Sequence, residues 1–385
     1  MSRDAPTELL QPPAPAVHRR LATLLGPVFA LVLVVFLGGV AEYIKEGTFN
    51  YWSPQNQFMV LTQNVTVALG AIGMTMVIIS GGIDLSAGSV IALGSVVTAW
   101  VIREYAPPGV ASFDDLVSGG SLAGVWKTVI LLPLAAMLVG ILAGAAAGAT
   151  NGLLITRLKL APFIISLGMM LFARGAAMGV AELMRIDAPL NWISSFTSAK
   201  VSLFPLHVGG VGLLPEIIVH WGPLNWRGPT AISVAVLVTI VLAVVAAIVL
   251  ARTRFGRHIF AIGSNEATAR LCGVWVDRTK LYTYTLAGAL FGLAGVVDFG
   301  RLSVGDSSTA QMKELDIIAA VVIGGGSLNG GAGSILGSLV GALLMAHLTN
   351  LCAHLGLPIN VQKMVLGAVL VAAVTVDRLR QRRRQ

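Results

Sequence analysis

An acidic residue inside an apolar stretch is the first group in this sequence that could do chemistry. Asp84 and Ser86 lie in SGGIDLSAGS, residues 80–89, between two long apolar runs. Ionisable groups at membrane depth are costly and mark transport pathways by default. Asp84 could instead cap the following helix, because a carboxylate accepts hydrogen bonds from the free amides of a helix N-terminus. The sequence leaves both roles open.

A second glycine-rich interruption is similar to the first. IGGGSLNGGAGS occupies residues 323–334, and aligning Gly333–Ser334 with Gly88–Ser89 places Asn329 opposite Asp84. Glycine-interrupted helices in corresponding parts of two halves of a chain indicate a transport site. The candidate pathway residues are therefore Asp84, Ser86, Ser327, Asn329 and, on an earlier helix, Asn64.

A polar, charged segment at residues 252–280 is the third candidate. Ser264 is expected to cap a short helix that runs from Asn265 to about Cys272 and ends at Gly273. Such a helix could dock a soluble partner, or the segment could be a solvated connector. Composition alone favours the solvated connector.

The motifs of soluble enzymes are absent from the sequence. There is no G-x-x-x-x-G-K-[ST] phosphate loop and no H-E-x-x-H zinc motif, and the six histidines are scattered. The stretch GGGSLNGG at 324–331 has no lysine after it. We therefore predict that the protein is not an enzyme and has no catalytic residues, metal ligands or cofactor.

The composition is that of an integral membrane protein. Of the 385 residues, 56% are hydrophobic and 11% charged, and the mean hydropathy is +0.83. Soluble domains are about 45–50% apolar and about 25% charged. The net charge of +8 is better explained by the excess of Lys and Arg on the cytoplasmic side of membranes than by nucleic-acid binding.

The apolar runs predict an all-α polytopic transmembrane bundle of about ten spans with broken helices. The predicted spans are 21–40, 58–80, 88–103, 128–153, 161–182, 230–251, 280–299, 315–326, 333–349 and 360–377. With the N-terminus inside, the cytoplasmic segments hold sixteen basic and five acidic residues, and the outer ones eight basic and twelve acidic. Both termini are therefore predicted to be cytoplasmic.

This topology divides the chain into segments. The expected divisions are a disordered tail at 1–20, a membrane domain at 21–377 with outer inserts at 104–127 and 183–229, and a basic tail at 378–385. Cys272 and Cys352 fall on opposite faces, so no disulfide is expected. Within the membrane, Arg174 is expected to be structural, with Glu182 as a possible partner.

Glycines recur every fourth residue in three predicted spans. Such stripes let another helix approach closely, so they predict a compact bundle rather than a binding site. The stripes are Gly140, Gly144, Gly148 and Gly152, then Gly288 and Gly292, then Gly333, Gly337 and Gly341.

Four ordered motifs carry a resemblance to a known family. They are GMTMVIISGGIDLSAGSVIALG at 73–94, NGLLITRLKLAPFIISLGMMLFARG at 151–175, RTRFGRHIFAIGSNEATARLCGVWVDRTKLYTYTLAG at 252–288 and ELDIIAAVVIGGGSLNGGAGSILGSLVGALLM at 314–345. The chain resembles the permease subunit of bacterial ATP-binding-cassette (ABC) importers for monosaccharides of the ribose, xylose and galactose type. The N-terminal tail and the two outer inserts fall outside the resemblance.

The resemblance implies a set of partners and a location. Such permeases form a homodimer in the bacterial inner membrane, surrounded by lipid. A periplasmic sugar-binding protein delivers the substrate, so the inserts at 104–127 and 183–229 would be periplasmic. A separate cytoplasmic ATPase drives transport through a short coupling helix of the permease. Carried onto this sequence, the coupling residues are Ser264, Asn265, Glu266, Ala267, Arg270 and Gly273.

Two other functions remain as alternatives. Related permeases carry branched-chain amino acids, although the sequences of the motifs GGIDLS and ELDIIAAVVIGG resemble the sugar type more closely. An ion-coupled secondary carrier would need several intramembrane acids or histidines as a relay, and only Asp84 clearly qualifies.

Overall fold

The computed structural model describes residues 16–106, 131–188, 193, 200–202, 217–221, 224–228 and 231–382. Most of the two inserts, residues 1–15 of the expected tail and residues 383–385 therefore lie outside the described part. The described helices, in chain order, are α1 (Ala16–Glu46), α2 (Pro54–Gln63), α3 (Val65–Ile79), α4 (Ala87–Tyr105), α5 (Leu132–Leu158), α6 (Pro162–Val180), α7 (Val234–Arg252), α8 (Arg254–Ser264), α9 (Glu266–Leu271), α10 (Val276–Leu302), α11 (Lys313–Ile323), α12 (Ile335–His354) and α13 (Ile359–Arg382).

Short strands accompany this helical fold. Three antiparallel pairs join β1 to β6, β2 to β5 and β3 to β4, with Ile186 opposite Gly305, Val201 opposite Ile232 and Val219 opposite Trp226. The strands are β1 (Ile186–Asp187), β2 (Lys200–Ser202), β3 (Ile217–Trp221), β4 (Leu224–Gly228), β5 (Ala231–Ser233) and β6 (Val304–Gly305). The all-α prediction therefore holds for the membrane helices, and most of the strand residues belong to the insert at 183–229.

Seven of the described helices are long and apolar enough to cross a membrane. The pair α2–α3, bent by 50° at Asn64, makes an eighth span if it is counted as one. α11 has only 11 residues, and Ile359–Val369 of α13 is a shorter apolar segment. Several helices begin or end a few residues from the predicted limits: α5, for instance, is Leu132–Leu158 rather than 128–153.

α3 and α10 form the centre of the bundle. Every residue of α3 is buried, which explains why its sequence is apolar on all sides rather than amphipathic. α10 packs most extensively against α5, and then against α4 and α3. By contrast, only 22% of the apolar windows of α1 and α6 is buried, so these two helices lie at the periphery.

The glycine stripes of α5 and α10 face each other. A Cβ atom added at Gly288 would overlap the carbonyl oxygen of Gly144, and one added at Gly148 would overlap the carbonyl oxygen of Tyr284. The two backbones are therefore in direct contact. The third stripe also allows close packing, because a Cβ atom at Gly341 of α12 would overlap the carbonyl oxygen of Ala320 in α11.

Candidate functional site

Asp84 lies in the first break, which we define as residues 80–86 between α3 and α4. Its side chain is 1% exposed. Oδ1 accepts hydrogen bonds from the Ser86 amide at 2.9 Å and from the Ser86 hydroxyl at 2.5 Å. Since Ser86 is the N-cap residue immediately before α4, the carboxylate holds the residue from which that helix starts.

Asn151 of α5 completes the surroundings of Asp84. Its Nδ2 lies 3.1 Å from Ser86 Oγ and 3.4 Å from Asp84 Oδ2. Asn151 Oδ1 and the Tyr284 hydroxyl are buried without a hydrogen-bond partner in the described part of the chain. The hydroxyl of Tyr284 points at Gly82, where a Cβ atom would overlap it. The first break is thus held by side chains from α5 and α10.

The first break contacts the second break, which we define as residues 324–334 between α11 and α12. The Gly331 amide donates to the carbonyl oxygen of Ile79, the last residue of α3, at 2.9 Å. Gly81, Gly330 and Gly331 have φ angles of +82°, +87° and +72°. Only glycine adopts this region without strain, which explains the glycines in both motifs.

α8 packs directly against both breaks. A Cβ atom at Gly263 would overlap the Ile79 carbonyl oxygen and would lie 2.5 Å from the Gly331 nitrogen. A Cβ atom at Gly330 would lie 2.7 Å from the Gly263 carbonyl oxygen and 2.9 Å from the Cα atom of Gly81. We call Gly81, Gly263, Gly330 and Gly331 the glycine junction. Here three chain segments touch through backbone atoms.

The polar segment after α8 forms the short helix α9, with a different cap from the predicted one. Asn265, and not Ser264, is the N-cap: its Oδ1 accepts from the Thr268 amide at 2.9 Å. Ser264 is the last residue of α8, and its hydroxyl donates to the Phe260 carbonyl oxygen. Asn265 has extended backbone angles, which suit a cap.

Ion pairs tie α9 to the first turns of α10. Glu266 accepts from Lys280 at 2.6 Å and lies 3.5 Å from Arg270, which also donates to Asp277 at 2.9 Å. The hydrogen bond and charge of Asp277 raise the pKa of the Arg270 guanidinium above its usual value. Ala267 is exposed on the same short helix. α9 therefore presents a fixed polar surface next to the glycine junction.

A cavity of about 570 Å³ lies at the other end of α10. We call it the outer cavity, because this end of the bundle is predicted to face outside. Its charged and amide lining includes two ion pairs, Arg301–Asp298 at 3.1 Å and Lys313–Asp316 at 3.1 Å. The polar lining residues are Gln63, Asn64, Thr66, Asp298, Arg301, Thr309, Lys313, Asp316, Thr349, Asn350 and His354.

The structure divides the predicted pathway residues between the outer cavity and the two breaks. Asn64 lines the outer cavity, whereas Asp84 and Ser86 are buried in the first break. Ser327 is half-buried and Asn329 is exposed, both in the second break.

Sequence reasoning missed several side chains of the candidate site. Asp298 is an acid within the predicted span 280–299, so its position in an apolar helix was a usable signal. Asn151 offered none, because it lies in a glycine-rich stretch that indicates only packing. The ion-paired groups Arg301, Lys313 and Asp316 lie near helix ends, where charges are ordinary.

Arg174 of α6 binds a loop rather than the expected Glu182. Its Nη1 donates to the carbonyl oxygens of Ser307 and Thr309. Next to this contact, Asp306 pairs with Arg185 at 3.0 Å. Burial raises the pKa of Asp306, but hydrogen bonds from Ser308 and the charge of Arg185 outweigh it and leave the pKa below its usual value. Arg174 thus fixes the chain between α10 and α11.

A family profile described as "Branched-chain amino acid transport system / permease component" matches residues 56–374. The chain belongs to this permease family. The match begins in α2 and ends in α13, so it includes both breaks, α9 and the outer cavity. The permease is a multi-pass membrane protein and a transport subunit rather than an enzyme.

Individual relatives of the permease carry the names of sugar importers. The ribose import permease protein of Escherichia coli K12 is 34% identical over 86% of this chain and 88% of its own length. That of Bacillus subtilis 168 is 33% identical over 97% and 98%. The xylose transport system permease protein of E. coli K12 is 30% identical over the full length of both chains. No solved structure has significant similarity to the permease.

These relatives confirm the resemblance to monosaccharide ABC permeases. The family description mentions branched-chain amino acids, but the relatives that cover nearly the whole chain are named for ribose and xylose. The amino-acid and ion-coupled alternatives are therefore not favoured.

Proposed function

We propose that the permease carries a monosaccharide such as ribose or xylose through the bacterial inner membrane as the membrane subunit of an ATP-driven importer. The names of its relatives support the substrate class. The outer cavity supports it too, since its amide, hydroxyl and charged groups can pair with sugar hydroxyls. Its volume of about 570 Å³ is in the range of small-molecule sites.

The topology that we propose has ten spans and two cytoplasmic termini. It adds α11 and α13 to the seven long helices and the bent pair. The loop with α8 and α9 then faces the cytoplasm, and the inserts at 104–127 and 183–229 face the periplasm. The charge distribution of the sequence supports this orientation. The tails at 1–20 and 378–385 lie outside the membrane domain at 21–377.

The glycine junction is the observation that carries the proposed mechanism. A cytoplasmic ATPase docks on α9 through Ser264, Asn265, Glu266, Ala267, Arg270 and Gly273. Hydrolysis on that partner displaces α9 and α8, and Gly263 transmits the displacement to the Ile79–Gly331 contact. Because packed backbones cannot be compressed, both breaks move together.

The sugar route that we propose connects the outer cavity with the two breaks. A periplasmic sugar-binding protein delivers the substrate to the cavity near Asn64. Asp84, Ser86, Ser327 and Asn329 belong to the exit at the breaks, where Asp84 shapes the backbone. A second copy of the permease completes the pathway as a homodimer within the lipid bilayer.

Reconstituted transport tests this proposal. Proteoliposomes with the permease and a cognate ATPase should accumulate labelled ribose or xylose only with enclosed ATP and external binding protein. Uptake driven by a proton or sodium gradient without ATP would show a secondary carrier. ATP-dependent uptake of leucine but of neither sugar would show an amino-acid permease.

A further inference from the structure

A second cavity, of about 720 Å³, lies beside the start of α8 and the first three turns of α10. It is separate from the outer cavity and from the glycine junction. Its lining residues are Arg254, Phe255, His258, Gly273, Trp275, Arg278, Thr279, Tyr282, Thr285 and Leu286.

The charged residues that line this cavity are all cationic, and Arg278 places positive charge at the end where α10 begins. Arg254 and Arg278 are permanently charged, and His258 adds a third nitrogen base. Its lining residues, all in the described part of the chain, include no acidic side chain. The nearest acids along the chain, Glu266 and Asp277, are already paired with Lys280 and Arg270. The positive charge at this end is therefore left to attract an anion.

Aromatic residues mark this end as a membrane interface. Trp275 is 65% exposed, and the Arg278 guanidinium lies 4.2 Å from the centre of its ring. Tyr282 is also exposed, one turn further along α10. Tryptophan and tyrosine are enriched where the bilayer meets water, at the depth of lipid headgroups.

The rest of the cavity is apolar and extends along α10. Arg278, Tyr282 and Leu286 are spaced by four residues, so they lie on one face of the helix about 6 Å apart. Tyr282 and Leu286 are both exposed. Positive charge therefore lies at the membrane surface, and an apolar stripe runs from it into the membrane. This arrangement matches an amphiphile with an anionic headgroup and an apolar chain.

We propose that this cavity binds the phosphate headgroup of an anionic phospholipid from the cytoplasmic leaflet. Arg254 and Arg278 bind the phosphate, and an acyl chain lies along Tyr282 and Leu286. Basic pockets between membrane helices on this side are known to take such headgroups. The inference rests on the proposed orientation and not on the transported sugar. The lipid would hold the first turn of α8, the helix that reaches the glycine junction.

Lipid binding to the purified full-length permease tests the proposal. In neutral detergent, dioleoyl phosphatidylglycerol should raise the melting temperature more than dioleoyl phosphatidylcholine or inorganic phosphate at the same concentration. Native mass spectrometry should show retained phosphatidylglycerol. In the variant Arg254→Gln/Arg278→Gln, the apparent affinity should fall about fivefold per removed charge.

The control variant Arg157→Gln/Arg252→Gln removes the same charge from exposed arginines of the same face outside the cavity. It should keep the wild-type affinity, and an equal loss in this control would overturn the site. Equal stabilisation by the two lipids, or by inorganic phosphate, would overturn it as well. Dissociation of a permease dimer by the Arg254/Arg278 variant would instead assign the cavity to the second copy. The comparison of the two lipids on the wild-type permease needs no variant. Its result also does not depend on whether the permease transports a sugar.

Discussion

At the scale of single residues, Asp84 combines the two roles that its sequence left open. It accepts from the amide of Ser86, the N-cap residue of α4, and it is also linked through Asn151 to α5. A carboxylate offers two acceptor oxygens, whereas a neutral amide offers one acceptor oxygen and an N–H donor group. Asp84 therefore stabilises the backbone of the first break, and it is also a candidate pathway residue.

Substitution of Asp84 should separate folding from transport. Asp84→Ala leaves the buried Ser86 amide without its acceptor, so we expect a loss of about 1–3 kcal/mol of stability and less protein in the membrane. Asp84→Asn keeps one acceptor oxygen for Ser86 but turns an N–H group toward Asn151. We expect wild-type amounts of this variant and a strong loss of sugar uptake per folded molecule.

Ser95→Ala is the matched control for these variants, because the Ser95 hydroxyl in α4, the helix after the first break, is buried without a partner in the described chain. Its removal should leave both stability and uptake unchanged. Wild-type uptake by Asp84→Asn would restrict Asp84 to its structural role.

The sequence predicted the side chains of the first break better than their contacts. SGGIDLSAGS indicates a break and an acid, but Asn151 is 67 residues away, and no periodicity connects the two. The cap of α9 was misplaced by one residue because Ser and Asn both cap helices, and only backbone angles distinguish them.

At the scale of helices, the glycine stripes predicted close packing but not its partners. Spacing shows that a helix face is bare, and any other bare face would fit it. The pairing of α5 with α10, and of α12 with α11, follows from the three-dimensional arrangement. The two breaks were likewise predicted as two similar motifs, but not as segments in contact with each other.

Alanine substitution should distinguish packed glycines from peripheral ones. Gly148→Ala places a methyl group against the Tyr284 carbonyl oxygen, so we expect a loss of about 1–3 kcal/mol. Gly168→Ala in α6 meets no atom within 4 Å, and alanine is the better helix former, so the melting temperature should not fall. Equal melting temperatures for both variants would contradict the α5–α10 contact.

Docking of the ATPase on α9 is best tested at Ala267. Reversing the charges of Glu266 and Arg270 would also turn their ion pairs with Lys280 and Asp277 into repulsive pairs of like charge. That change would disturb α9 itself. Ala267→Arg adds bulk and charge to an exposed position, so we expect the ATPase to co-purify in smaller amounts. Ala251→Arg, at an exposed alanine near the end of α7, is the control and should retain the partner. Retention by Ala267→Arg as well would place the docking surface elsewhere.

At the scale of the whole molecule, orientation can be read from one native cysteine. Cys272 is exposed next to α9, whereas Cys352 is buried. A membrane-impermeant maleimide should therefore leave Cys272 unmodified in intact cells and modify it in inside-out vesicles. Leu183→Cys, on the opposite side at an 81% exposed position, should react in intact cells when Cys272 is replaced by serine. Reaction of Cys272 from outside would invert the topology.

The molecule as a whole was predicted in its class but not in all its parts. Apolar runs gave the helices because hydrophobic length is a strong local signal. The short helix α11 follows from the short apolar run predicted at 315–326. The bend between α2 and α3 and the strand pairs depend on tertiary contacts, which a hydropathy pattern does not contain.

The hydrogen bond between the Gly331 amide and the Ile79 carbonyl oxygen has a consequence for deuterium exchange. Most amides in the bundle are protected by their own helix, so they exchange when that helix unwinds. The Gly331 amide is protected by a different segment, and its exchange rate reports how often the two breaks separate. The exchange rate of this single amide therefore measures how often the breaks separate. Faster exchange during ATP turnover would show that they separate in the transport cycle of the unmodified permease.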